Sequence, residues 1–215
     1  MKGFKIFGEI IFEYLVITLL IILSSLSVIG FIPVFVGIIS YFNHKKNDRM
    51  FKDIFTAIKD NLKIIIKFTI LELIILIVSI LNIYFFQNHQ EGFNIIILVL
   101  SYVFLGIGII FLAHGPMIII GMNVNLRQLI FNSFLFFFGG FLNSLIAIVA
   151  LALIVVLAAY IPYLIIIYAY FAYKAVAYFT GKNFLVFKAK KLNITVNELT
   201  KMQDEDNYFE EEVKS

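Results

Sequence analysis

The chain of 215 residues contains no cysteine and no tryptophan, and only 14% of its residues are charged. Without cysteine it can form no disulfide and no thiolate metal site, and the redox state of its compartment leaves no mark on the sequence. About a quarter of the residues of a soluble domain are charged, so the low charge excludes that class. The net charge of +3 is small, and we expect no nucleic-acid partner.

Patterns that carry catalysis or bind metals are also missing. The three histidines, His44, His89 and His114, have no spacing for a shared metal ion. No glycine-rich phosphate loop precedes a lysine, and no serine lies in a nucleophile elbow. We therefore predict a non-enzymatic protein that binds no metal and no cofactor.

What the sequence has in excess is apolar residues, which make up 62% of the chain. They recur in runs of about 18 residues or more, each long enough to cross a hydrocarbon core ~30 Å thick. Lipid cannot hydrogen-bond the backbone, so spanning segments must be helices or a closed barrel. The run Ile95–Phe111 lacks the two-residue alternation of a barrel strand. The predicted fold is an all-α, polytopic transmembrane helical bundle.

The apolar runs predict six spanning helices. Gly30 and Pro33 indicate a turn between the first two, Pro116 predicts a kink in the fourth, and Gly181 ends the sixth. The second helix is short, so the first two helices are either two crossings or one re-entrant hairpin. The predicted bounds are about Phe7–Ser27, Pro33–Lys45, Ile64–Phe86, Asn94–Ile120, Phe134–Ala159 and Tyr163–Phe179.

These helices divide the chain into a transmembrane domain, residues 1–181, and a cytoplasmic tail, residues 182–215. Thr195 and Glu198 have the spacing of a capping box, which predicts one short helix in an otherwise partly disordered tail. Glu9 and Glu13 interrupt the N-terminal region, so we expect the first apolar run to span the membrane rather than to be a cleaved signal peptide.

The basic residues predict the orientation of the bundle. With six crossings, the loops Ser27–Ile32, Gln87–Phe93 and Tyr160–Pro162 lie on one side of the membrane, and they contain no lysine or arginine. All 17 basic residues of the chain fall in or near the segments on the opposite side. By the positive-inside rule both termini are cytoplasmic. We expect a multi-pass protein of the cell membrane.

Residues 47–62 interrupt the apolar chain with an amphipathic segment. Its apolar residues have the spacing of one helix face, and four lysines cluster on another. That basic face fits anionic headgroups at the membrane surface, and a docking surface for a partner is the alternative. The apolar set is Phe51, Ile54, Phe55, Ile58 and Leu62, and the basic face is Lys52, Lys59, Lys63 and Lys67.

A few polar residues fall deep inside predicted spanning helices. At 1.5 Å per residue, Glu72, His114 and Asn143 lie about 12, 9 and 13 Å from the inner surface. Ser79 lies on the same side of its helix as Glu72. These residues predict an intramembrane polar layer, with His114 as the expected partner of Glu72. The layer is either a set of interhelical hydrogen bonds or a site for a solute or a proton.

Four stretches of the sequence carry a resemblance to a known family. They are the turn Ile29–Pro33, a short helix ending in Tyr41–Lys46, the spaced phenylalanines and lysine of Phe51–Lys59, and Leu126–Leu129. With them the chain resembles the YesL-type family of bacterial integral membrane proteins, chiefly over its first eighty or so residues. The chain departs from the family in having no tryptophan and a longer acidic tail.

The resemblance implies a bacterial plasma-membrane protein with a role near carbohydrate uptake, because members are often encoded beside sugar ABC transporters and glycoside hydrolases. It supplies no catalytic residue. The first functional hypothesis is therefore a non-enzymatic accessory protein whose partners are anionic headgroups and transporter subunits. The alternative is a small-solute transporter that uses the polar layer.

Overall fold

The structure, a computed structural model, describes residues 2–25, 27–43, 50–87 and 92–200. These residues form helices and the turns that join them, and no strand occurs among them. The predicted all-α fold is confirmed. The helices are α1 Lys2–Ser25, α2 Val28–Asn43, α3 Met50–Asp60, α4 Leu62–Phe86, α5 Phe93–Gly121, α6 Leu126–Gly139, α7 Phe141–Tyr160 and α8 Ile165–Leu192, with a 3₁₀ turn at Pro162–Leu164.

Three helical segments in the described part of the chain are long and apolar enough to cross a membrane. They are Phe7–Ser25, Leu62–Phe86 and Asn94–Gly121. The bent pair of α6 and α7 adds a fourth if it counts as one span. α2 has 16 residues, about 24 Å at 1.5 Å per residue, which is shorter than a ~30 Å core. The helices are compatible with a membrane location.

The turn between α1 and α2 lies earlier in the chain than its glycine and proline predict. The carbonyl and the hydroxyl of Ser27 both accept from the Gly30 N–H, at 2.9 and 3.1 Å. This cap starts α2 at Val28, so the predicted start at Pro33 is wrong. Pro33 lies inside the helix instead, in its second turn, where only one backbone donor is lost.

α3 confirms a helix in the amphipathic segment and packs against α2 at Gly37. A Cβ on Gly37 would lie 2.7 Å from Ile54 Cγ2, so only glycine permits this approach. Ile54 is buried there, whereas Phe51 and Phe55 are 47% and 65% exposed. The predicted apolar face is therefore split, because α2 covers only the strip around Gly37.

α4 and α5 match the predicted third and fourth helices to within two residues at each end. They pack closely where Gly115 faces Phe68, whose ring would lie 2.4 Å from a Cβ on that glycine. α5 stays helical through Pro116 and ends at Gly121.

The predicted fifth helix, Phe134–Ala159, is wrong as a single element. α6 and α7 meet at Gly140 with a bend of 108°. A Cβ on Gly140 would lie 2.0 Å from Asn183 Oδ1 on α8, so the glycine allows α8 to reach into the break. Asn125 and Gln128 form a complete capping box that starts α6 at Leu126, upstream of the predicted start.

The prediction that Gly181 ends the last helix is also wrong. α8 continues to Leu192 and ends at Asn193, which adopts the left-handed conformation with φ 54°. Gly181 instead packs under Asn43 of α2, whose Oδ1 would lie 2.4 Å from an added Cβ. A glycine inside a helix that meets a neighbour closely has a packing reason and need not be a stop. The helix thus crosses the predicted domain boundary after residue 181.

The capping box of the tail is confirmed. The Thr195 N–H donates to Glu198 Oε2 at 2.7 Å, and the Glu198 N–H donates to Thr195 Oγ1 at 3.2 Å. The Thr195 N–H and hydroxyl hold the pKa of the Glu198 carboxyl below its usual range. The predicted disorder further along the tail falls on residues 201–215, which lie outside the described residues.

The core lies where α2, α5 and α8 meet. Phe35, Ile118 and Val176, one from each helix, are fully buried. Tyr173 of α8 packs edge-on against the Phe35 ring, with centroids 4.6 Å apart. Much of the apolar surface of α1, α4 and α5 stays exposed, as expected of helices that face lipid.

We predict that Gly37→Ala lowers the thermal unfolding midpoint in detergent, by an amount equivalent to about 1–3 kcal/mol, because the methyl group overpacks the α2–α3 contact. Gly106→Ala is the matched control, since no atom lies within 4 Å of its added Cβ. That control is expected to be neutral or to gain up to ~1 kcal/mol from helix propensity. Equal midpoints for the two variants would contradict the close packing of α3 on α2.

Candidate functional site

Glu72 is the most unusual residue of the described interior. It lies on the side of α4 that faces α5, and its side chain has no exposed surface. Oε2 lies 3.5 Å from the position of a Cβ on Gly108, so the absence of a side chain there makes room for the carboxyl group. Neither carboxyl oxygen has a hydrogen-bond partner among the described residues.

His114 is likewise fully buried, on α5. Its ring lies 6.5 Å from the Phe136 ring, centroid to centroid, and neither ring nitrogen has a hydrogen-bond partner in the described part of the chain. The predicted Glu72–His114 pair is therefore not formed. The two side chains lie at different positions along the axis of α5. Glu72 faces Gly108, and Gly108 and His114 are six residues apart, about 9 Å at 1.5 Å per residue.

Ser79 is a further buried side chain without a hydrogen-bond partner among the described residues, as is Thr18 of α1. The Ser79 hydroxyl, on α4, makes no hydrogen bond within the described ranges. Buried hydroxyls on these helices ordinarily donate to a carbonyl four residues earlier, as Thr69 does to Ile65 at 2.8 Å. Glu72, His114 and Ser79 therefore form no hydrogen bond with one another, and the described residues show none of the interhelical hydrogen bonds predicted for these three side chains. Buried polar groups without a partner cost stability, so each of these side chains is a candidate for function.

Asn143 belongs to a different cluster, at the break between α6 and α7. Its Nδ2 donates to Asn183 Oδ1 at 2.8 Å. Asn183 Nδ2 donates in turn to Ser144 Oγ at 3.0 Å and to the Gly140 carbonyl at 3.2 Å. The Gly140 carbonyl also accepts from the Ser144 N–H at 2.9 Å, so the network ties α8 to the first turn of α7 at the break. Its role is structural.

Sequence reasoning missed Asn183 because the predicted last helix stopped at Gly181. The signal that would have found it is helical spacing. Asn183 lies seven residues after Val176, which places it on the buried face of a continuous α8.

The four lysines of the basic face are all exposed. They do not lie on one continuous helix, since α3 ends at Asp60 and α4 begins at Leu62. Lys52 and Lys59 therefore flank the exposed phenylalanines of α3, and Lys63 and Lys67 lie on the first turns of α4. The α3 surface, defined as Phe51, Phe55, Lys52 and Lys59, is the part of the predicted interface that the structure keeps together.

Within the described residues, no three His, Asp or Glu side chains group in a way that could hold a metal ion. His44 and His89 lie outside the described residues. Comparison of the chain with protein-family models, with curated proteins and with solved structures finds no match. The resemblance to the YesL-type family accordingly stays a prediction.

We predict that Glu72→Leu unfolds at a higher temperature in detergent than wild type. The substitution removes two buried oxygen atoms that lack hydrogen-bond partners, and each such group lowers the free energy of unfolding by roughly 1–3 kcal/mol. Glu72→Gln is the matched control, which keeps a buried polar group and is expected to unfold near the wild-type midpoint. A Glu72→Leu protein that unfolds below Glu72→Gln would show that the carboxyl group has a stabilising partner after all.

Proposed function

We propose that the protein is a non-enzymatic accessory protein of the bacterial plasma membrane that docks to a carbohydrate ABC transporter. The observation that carries the proposal is the α3 surface, in which two exposed phenylalanines lie beside two exposed lysines on a helix fixed to the bundle. The link to carbohydrate uptake rests on the resemblance to the YesL-type family.

The α3 surface has the composition of a protein interface. Met50 and Ile54 are buried against the bundle, so α3 cannot roll its phenylalanines inward without giving up that packing. Phe51 and Phe55 remain largely exposed, and exposed aromatic side chains on a fixed helix act as anchors for a partner. Lys52 and Lys59 add charge at the edge, which favours an acidic rim on the partner and raises the association rate.

Anionic headgroups are the competing occupant of the α3 surface, since aromatic residues beside lysines also suit a membrane interface. A photocrosslinking amino acid at Phe55 in native membranes separates the two cases. We expect adducts with a transporter subunit, and none from a control at Phe138, which is exposed on α6. Phe51→Ala should reduce the adduct severalfold, because it removes an aromatic anchor one turn away. Adducts with lipid alone from position 55 would exclude the docking role.

A second candidate function is transport of a small solute, and Glu72, His114 and Ser79 favour it. These three side chains offer unused donors and acceptors inside the helical bundle. In such a transporter the polar groups would bind the solute during its passage.

For transport we expect solute flux into proteoliposomes that Glu72→Gln abolishes while the unfolding midpoint stays unchanged. Ser101→Ala is the matched control, because the Ser101 hydroxyl already donates to the Ile97 carbonyl at 2.7 Å and is not available to a solute. Flux that is absent across a broad solute panel, or that survives Glu72→Gln, would exclude this function.

We further propose six membrane crossings, formed by α1, α2, α4, α5, the α6–α7 pair and α8, with both termini in the cytoplasm. The absence of lysine and arginine from the loops Ser27–Ile32, Gln87–Phe93 and Tyr160–Pro162 supports this orientation. It places the α3 surface on the cytoplasmic side, where it could reach the cytoplasmic parts of a transporter.

Reporter fusions test the orientation. A fusion after Lys46 and one after Ser215 are expected to be active only as cytoplasmic reporters, and one at Asn88 only as an external reporter. A cytoplasmic signal at Asn88 would show that α4 and α5 do not both cross, and the six-crossing arrangement would be wrong.

A further inference from the structure

An open groove of about 410 Å³ lies where the C-terminal end of α2 meets the middle of α8. α2 contributes Phe42 and Asn43, and α8 contributes Lys174, Tyr178 and Lys182 along one face. The groove shares no residue with the α3 surface or with the buried polar side chains of the second candidate function, so neither proposed function accounts for it.

The charged side chains among the described residues that line the groove are two lysines. Lys174 and Lys182 are exposed, and the described residues that line the groove include no aspartate or glutamate. Neither ammonium group forms an ion pair among the described residues, and the contact that Lys174 makes is with the face of the Tyr170 ring, 5.5 Å from its centroid. Two lysines in a concave site whose described lining holds no acidic residue favour an anionic ligand.

The spacing of the lysines fits one headgroup. They are eight residues apart on α8, about 12 Å along the helix, and long flexible stems allow both ammonium groups to turn toward a phosphate between them. Tyr178 lies between the two lysines and is exposed, in the manner of aromatic residues at headgroup level.

The remainder of the groove suits a hydrocarbon chain. Phe42, Ala177 and Leu185 give it apolar walls, and α2 itself is an apolar helix. Gly181 has no side chain, and the Asn43 side chain of α2 therefore packs directly on the α8 backbone within the groove. A soluble anion would use the lysines and leave these walls in water, whereas a phospholipid would cover both. Basic pockets between helices at the cytoplasmic side of a membrane bind anionic lipids in this way.

We propose that this groove is a binding site for an anionic phospholipid, in which Lys174 and Lys182 hold the phosphate of the headgroup and the apolar walls take the first part of an acyl chain. The site requires the membrane location that the proposed function also requires, but it does not depend on a transporter partner.

Native mass spectrometry of the full chain in detergent, titrated with phosphatidylglycerol or phosphatidylcholine, tests the site. We expect one phosphatidylglycerol to bind at concentrations at least tenfold below those at which phosphatidylcholine binds. The double variant Lys174→Gln, Lys182→Gln should lose this tenfold preference. The matched control is Lys190→Gln with Lys191→Gln, which removes two exposed charges from the same helix outside the groove and should keep the preference.

Three results would overturn the site: equal binding of the two lipids, an unchanged preference in the groove variant, or the same loss in the control variant. Inorganic phosphate at millimolar concentration is expected not to displace the lipid, and displacement would show a site for a soluble anion instead. Circular dichroism spectra of each variant, compared with the wild-type spectrum, test whether the variant is folded. If the double variant does not fold, Lys182→Gln alone should weaken phosphatidylglycerol binding severalfold, and unchanged binding would count against the proposal.

Discussion

The apolar interior of the helical bundle offers few hydrogen bonds, so the polar groups buried there must find partners within the protein, and much of the structure follows from that requirement. The backbone meets it by forming helices throughout the described residues. Buried hydroxyls such as those of Thr69 and Thr180 meet it by donating to the carbonyl one turn earlier. At the sharp break between α6 and α7, the Asn183 amide of α8 donates to the Gly140 carbonyl and to the Ser144 hydroxyl. Among the described residues the exceptions are Thr18, Glu72, Ser79 and His114, whose buried polar atoms have no hydrogen-bond partner.

Glycine determines how closely the helices approach each other. Gly37 admits Ile54 of α3, Gly115 admits Phe68 of α4, and Gly140 admits Asn183 of α8. At each position an added Cβ would lie within 2.7 Å of the neighbouring side chain, closer than packed atoms approach. The position of the α3 surface therefore depends on one glycine in α2, and the break that shapes α6 and α7 depends on another.

The three candidate sites are separate and differ in chemistry. The α3 surface pairs aromatic anchors with lysines, and we propose that it binds a protein partner. The groove between α2 and α8 pairs two lysines with apolar walls, and we propose that it binds a phospholipid. Glu72 lies inside the bundle, where the second proposed function places a small solute. Because α2 carries both Gly37 and Asn43, it supports the α3 surface on one side and forms a wall of the groove on the other.

The sequence by itself determined the helical class, the spans of α4 and α5, the amphipathic character of α3 and the burial of Glu72, His114 and Ser79. These follow from runs of apolar residues and from spacing along one helix, which are local properties. Only the tertiary structure decided that Gly181 continues a helix while Gly140 interrupts one, because each glycine takes its role from a distant side chain, Asn43 or Asn183. For the same reason Glu72 and His114, matched in predicted depth, do not meet: depth is a property of each helix alone, whereas contact depends on which residue of α5 faces α4.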